Sequence, residues 1–185
     1  MTGAFVAVVG PSGSGKDAVL DWARTRLAGS RFLFPRRVIT RPSGPGEDHV
    51  PVAPEAFAAA EAAGRFALTW RAHGLAYGVP VSVSEAIADG WVVVANVSRE
   101  VLPALEGAFG RAHTVRITVS DEVRRARIAA RGRENSADAQ ARLDRPDPAP
   151  GFRVDLEIVN DGTLEDAGSL LVDFLRGVEA RTLAR

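Results

Sequence analysis

Lys16 is the single lysine of a chain whose other basic side chains are arginines, and it closes the run Gly10-Pro11-Ser12-Gly13-Ser14-Gly15-Lys16. The spacing Gly-x-x-x-x-Gly-Lys is that of a phosphate-binding loop, in which glycines let successive backbone N–H groups curl around a polyphosphate. A following helix would add the positive end of its dipole, and the ammonium would reach the oxygens between the β and γ phosphates. These seven residues are therefore the expected ATP-binding loop. A plain Gly/Ser turn would share the composition, but the apolar run before it and the helical spacing after it favour the motif. Asp17 stands where such loops ordinarily offer a hydroxyl to Mg2+. A carboxylate is also a hard oxygen ligand, so Asp17 is the expected metal residue, unless it is only an acid in the first turn of a helix. Asn96, at the end of an apolar run that in many such folds carries a metal-orienting acid, leaves that task to Asp17.

A second constellation is basic. Arg124, Arg127, Arg131 and Arg133 fall on one expected helix and its end, with Arg142 and Arg145 on the next. Arginines on a mobile helical pair can close over a transferring phosphoryl group and neutralise its developing charge. Arg131 and Arg142 are the expected catalytic pair, against the alternative of a solvated arginine-rich face. Asn160 and Asp161, just after the last expected strand, are expected to line the nucleotide pocket, although an Asn-Asp-Gly turn has the same sequence.

The elements that would position these groups follow from hydrophobic periodicity. Strands are expected at 4–9, 32–39 (interrupted by Pro35), 65–71, 91–97, 113–119 and 156–160. Helices are expected at 18–27, 54–63, 82–89, 101–109 behind Ser98, 120–132 behind Ser120, 135–143 and 164–182. Residues 41–54 read as a long loop. Strands alternating with helices imply an α/β fold with a parallel sheet sandwiched by helices, in one domain spanning 1–185.

Composition narrows the function class. With 185 residues, 46% hydrophobic and 25% charged, the chain can bury an ordinary core. Its formal net charge is zero, which gives no field to gather nucleic acid or an anionic membrane. The absence of cysteine removes thiol catalysis and thiolate metal sites. With no signal-like or membrane-length apolar segment, a cytoplasmic setting is the expectation, and a homodimer is left open.

Ile39-Thr40-Arg41-Pro42-Ser43-Gly44-Pro45-Gly46-Glu47, Gly64-Arg65-Phe66, and the stretch from Trp70 through His73-Gly74-Leu75-Ala76-Tyr77-Gly78 resemble the acceptor-binding segments of guanylate kinases. The resemblance reaches most of the chain and implies a P-loop NTPase fold with a helical lid near 124–148 and an acceptor-binding region near 36–80. It maps that family's phosphate-binding arginine and tyrosine onto Arg41 and Tyr77. The same alignment puts Leu68 at the family's guanine-reading glutamate, Val79 at a hydroxyl residue that touches the base, and Gly44 at a second phosphate-binding arginine. Guanine is therefore not the expected base. The Gly-Lys-Asp ending of the loop, Val38 to Pro42, Glu47-Asp48-His49, His73 to Tyr77 and Val159-Asn160-Asp161 are similar to the ribose 1,5-bisphosphate phosphokinases of phosphonate breakdown, a branch of the guanylate-kinase-like family. That resemblance implies ATP- and Mg2+-dependent phosphorylation of a phosphorylated sugar to 5-phosphoribosyl 1-diphosphate, with His73 either an acceptor contact or a support for Tyr77. The alternatives are a nucleoside monophosphate kinase of altered specificity and a non-catalytic guanylate-kinase-like interaction module.

Overall fold

The computed structural model describes residues 2–44, 48–130 and 151–184. Its centre is β1 (Ala4–Val9), whose six residues are all buried. A strand covered on both faces loses the usual in/out alternation, hence the unbroken apolar run. Around it the described strands form a parallel sheet in the order β2-β7-β1-β8-β9, with β2 at Phe32–Leu33, β7 at Val92–Asn96, β8 at Ala112–Thr118 and β9 at Leu156–Val159.

One face of this sheet is covered by α1 (Lys16–Arg26) and α6 (Leu164–Leu183), which enclose Val6, Val8, Val19, Leu171 and Leu175. α6 starts at a capping box: the Thr163 hydroxyl accepts from the Asp166 backbone N–H, and the Asp166 carboxylate accepts from the Thr163 N–H. The two helices meet where Gly168 lies under the Trp22 ring, so close that a Cβ on Gly168 would stand 2.3 Å from a ring carbon. Gly168→Ala is accordingly expected to destabilise the protein by about 1–3 kcal/mol through overpacking. A thermal melt that left Tm unchanged would mean that the helices can part without cost.

The opposite face carries α3 (Ser82–Ala88), a 3-10 turn (Arg99–Ala104) and α4 (Leu105–Phe109). The helix expected over 101–109 begins as this tighter turn because Pro103 has no N–H for an α-helical bond. Ser98 does cap it, accepting from the Glu100 N–H. α2 (Pro54–Ala62) and α5 (Asp121–Ala130) fall where periodicity puts them. The expected helix over 135–143 lies outside the described residues.

The larger departure is a second sheet. The segment expected as one strand over 32–39 is cut by Pro35 into β2, in the parallel sheet, and β3 (Arg37–Ile39), in a mixed sheet ordered β4-β3-β6-β5. β4 (His49–Pro51) lies inside the stretch expected to be a loop, and β6 (Leu75–Pro80), which the sequence reading does not assign, pairs antiparallel with β5 (Phe66–Ala72). The turn between β5 and β6 is His73-Gly74, with φ of 53° and 71°. Positive φ at both central residues is the twist that a two-residue hairpin needs. Gly78 is required for a different reason, since a Cβ there would sit 2.6 Å from the Phe66 ring.

Candidate active site

The loop between β1 and α1 is held in shape by its glycines and by side chains bonded to its carbonyls. Gly13 and Gly15 have φ of 84° and 82°, the left-handed region that a side chain resists. Lys16 Nζ donates to the carbonyls of Gly10 and Pro11, at 2.9 Å each. Arg124 Nε donates to the Ser12 carbonyl at 2.9 Å, and Asn160 Nδ2 donates to the Ser14 carbonyl at 2.8 Å. Ser14 itself is fully buried. Three side chains from three parts of the chain thus hold four of the loop's carbonyls, which fixes the backbone whose N–H groups would face an anion.

Asn160 lies directly against this loop. It is buried, and its amide braces the phosphate loop through the Ser14 carbonyl. Asp161 likewise accepts from the Ser120 N–H and ties β9 to the start of α5. Arg124, which sequence reasoning treats as one arginine of a cluster, is in fact buried against the loop, and burial lowers its pKa from the ordinary guanidinium value while Asp121 opposes the shift. No local sequence signal separates it from Arg125 or Arg127. Arg127 also faces the loop: its Nη1 is buried without a hydrogen-bond partner in the structure, near the position a Cβ on Gly15 would take. Arg131 and Arg142 lie outside the described residues.

Beside the loop opens a cleft between α1 and the mixed sheet. One wall is the face of α1 carrying Asp17, Leu20, Asp21 and Arg24, at helical spacing. The other is the edge of the mixed sheet with Arg37, Arg41, Asp48 and His49, and Asn96 closes the inner end. It lies at the carboxyl ends of β1 and β7, where open α/β sheets bind ligands. Across its mouth Arg24 pairs with Asp48 at 3.0 Å and Arg36 pairs with Asp48 at 2.7 Å. Such exposed pairs add little stability, but they tie the segment before β4 to α1.

Asp17 is the hinge between loop and cleft. Its Oδ1 accepts from Asn96 Nδ2 at 2.7 Å and faces Arg37 Nη2 at 3.7 Å. The two positions that sequence reasoning pairs by exchange, an acid gained at 17 and an amide at 96, are therefore in direct contact. Thr40 fixes the neighbouring backbone: its hydroxyl accepts from the Ala76 N–H and its own N–H donates to the Ala76 carbonyl. Arg41 follows directly and lines the cleft. His49 is buried, with its Nε2 at 3.2 Å from the Arg41 carbonyl, so it shapes the arginine's loop.

His73 is not brought to the cleft. It is exposed at the hairpin tip, where its conformation serves the turn. Tyr77 stands across from Ile39 in the sheet and stacks on Trp70, with ring centroids 5.3 Å apart. On the same β5–β6 pair, Leu68 and Val79 are buried in a cluster with Phe5, Ala7 and Val93. These positions are packed apolar core.

With this geometry in hand, likeness to known proteins becomes informative. No family model matches the chain. A ribose 1,5-bisphosphate phosphokinase PhnN of Pseudofrankia inefficax is 56% identical over 182 residues, covering 98% of this chain and 95% of that protein. The chain belongs to the ribose 1,5-bisphosphate phosphokinase family. Another member, from Methylobacterium radiotolerans, is 48% identical and covers 95% of this chain and 99% of its own length. A third, from Rhizobium etli, is 44% identical over 181 residues. The fold is guanylate-kinase-like: the crystal structure of guanylate kinase from Anaplasma phagocytophilum superposes with a TM-score of 0.72 at 19% identity, covering 96% of this chain and 87% of that one. Among the described residues no helix is long and apolar enough to cross a membrane.

Proposed function

We propose that the chain transfers the γ-phosphoryl group of ATP to the 1-phosphate of ribose 1,5-bisphosphate, giving ADP and 5-phosphoribosyl 1-diphosphate. The observation that carries this reading is the contrast between the cleft and the core beside it. Leu68 and Val79, which stand at base-reading positions in the guanylate kinase alignment, are buried among apolar side chains, whereas Arg37 and Arg41 line the cleft. A site of that kind suits an acceptor made of phosphate and sugar, without a base.

The chemistry needs little beyond position and charge. An anionic oxygen of the 1-phosphate attacks the γ phosphorus and forms the new P–O bond. The bond from that phosphorus to the β-bridging oxygen breaks, and its electron pair leaves on ADP. The nucleophile is already ionised, so no general base is required. Lys16 and the loop amides hold the donor phosphates, braced by Arg124 and Asn160. Arg127, next to Gly15, is a further cation for the donor, and Arg131 and Arg142 are assigned to the lid. Arg41 and Tyr77 are assigned to the acceptor. Asp17, with both described contacts on Oδ1, has a second carboxylate oxygen with which it would hold Mg2+; when bound, that ion neutralises phosphate charge. A cytoplasmic setting, where ATP is kept, goes with this reading.

The test is an ADP-release assay with ribose 1,5-bisphosphate and GMP side by side. Turnover of the bisphosphate is expected to exceed that of GMP by at least about a hundredfold, the scale on which a site lacking polar readout fails a base. Efficient GMP phosphorylation under matched conditions would instead establish a nucleoside monophosphate kinase.

A further inference from the structure

A bisphosphate carries two dianions, and the cleft must hold both. Its arginines are not equivalent. Arg24 is held by two carboxylates, Asp21 at 3.1 Å and Asp48 at 3.0 Å. Arg37 has only 22% of its side chain exposed, yet its contact with protein is the Asp17 carboxylate at 3.7 Å, beyond hydrogen-bond distance. A guanidinium offers five N–H donors in a fork that fits phosphate oxygens. Holding such a fork mostly buried, with one loose ion pair and no side-chain hydrogen bond among the described residues, makes sense where a ligand completes it.

We propose that Arg37 and Arg41 form two separate anion subsites, each gripping a different phosphate of the acceptor. This rests on the reading of the acceptor as a bisphosphate. Arg37 lies in β3, whereas Arg41 follows the bend that starts at Thr40 past the strand's end, so the two forks enter the cleft from differently directed backbone and can reach two dianions. Arg37 lies directly beside His49 in the β3–β4 pairing, and His49 in turn holds the Arg41 carbonyl, so one buried side chain fixes the wall between the two subsites. Asp17 keeps Arg37 compensated until an anion arrives. The device makes Arg37 a specificity-determining residue: an acceptor with a neutral group in place of its second phosphate would leave Arg37 without its anion.

The experiment deletes ligand phosphates against side chains. Calorimetric affinities for ribose 1-phosphate, ribose 5-phosphate and ribose 1,5-bisphosphate are measured on the wild type, Arg37→Ala and Arg41→Ala, with Arg37→Lys as the conservative variant. Each alanine variant is expected to lose roughly tenfold or more for the bisphosphate and for one monophosphate, and little for the other, with the affected monophosphate differing between the two variants. Arg37→Lys keeps the charge but not the fork and should lose less. ATP affinity and Tm should stay near wild type in Arg37→Ala, which a merely structural role would not predict. Sensitivity of both variants to the same monophosphate, or an Arg37→Ala variant that binds all three ligands normally, would overturn the proposal. Turnover is read separately: a protein that shows the crossed pattern but transfers no phosphoryl group to the bisphosphate sinks the proposed function alone, and normal turnover without the pattern sinks only this inference.

Discussion

Lys16→Ala is expected to lower turnover by roughly two or more orders of magnitude, the scale on which one preorganised cation at a phosphoryl transition state acts. Two effects combine. The ammonium that would follow the charge developing between donor and leaving group is gone, and so are its bonds to the carbonyls of Gly10 and Pro11, which hold the entry of the loop closed. Arg124 and Asn160 still brace Ser12 and Ser14, so the fold and most of the melting temperature should survive. The measurement is steady-state kinetics beside a thermal melt, and near-normal turnover in a folded variant would place the chemistry elsewhere. Since Lys16 is the only lysine of the chain, an amine-directed reagent should label it and the chain's terminal amine alone. ATP should protect Lys16 from that labelling, and equal labelling with and without ATP would remove it from the site.

Gly15→Ala should be nearly as damaging, for a reason of backbone rather than charge. Gly15 has φ of 82°, and a Cβ there would fall 2.5 Å from Asn160 Nδ2, the atom that holds the Ser14 carbonyl. The left-handed conformation costs a non-glycine residue about 1–2 kcal/mol before any clash is counted. Displacing Asn160 then frees a buried carbonyl, at about 1–3 kcal/mol more. An ATP affinity reduced by tenfold or more is the expected result. A double variant with Asn160→Ala tests the cause: if the clash matters, the second substitution should cost much less in the Gly15→Ala background than alone. Strict additivity of the two would mean that the loop moves away from Asn160 at no cost.

The donor half of this site is legible in the sequence because its chemistry is local. Seven consecutive residues make the loop, and the strand before it and the helix after it are each set by a run of a dozen residues or fewer. The acceptor half is not local. β3 has three residues and β4 has three, too short for any period to register, and they are held by non-local pairing, β3 between β4 and β6 and β4 on β3. Arg37 looks like one arginine of an Arg36-Arg37 pair until pairing turns one toward the cleft and leaves the other to Asp48. His73 is noticed through the motif it shares with its family, whereas its place at a two-residue turn emerges only when β5 and β6 pair. Leu68 and Val79 are informative through the resemblance alone, and packing supplies the physical reason: they complete a core.

The bond from Asn160 to the Ser14 carbonyl spans 146 positions of the chain. It belongs to the residue after β9, which among the described strands pairs with β8 alone at the border of the parallel sheet. During vectorial synthesis the loop and α1 leave the ribosome early, yet the brace under the loop can form only once β9 has emerged and docked. A nascent chain stopped before residue 160 should therefore retain ATP poorly even with its first strands in place. Competence to hold the donor arrives late in synthesis, together with the final strand.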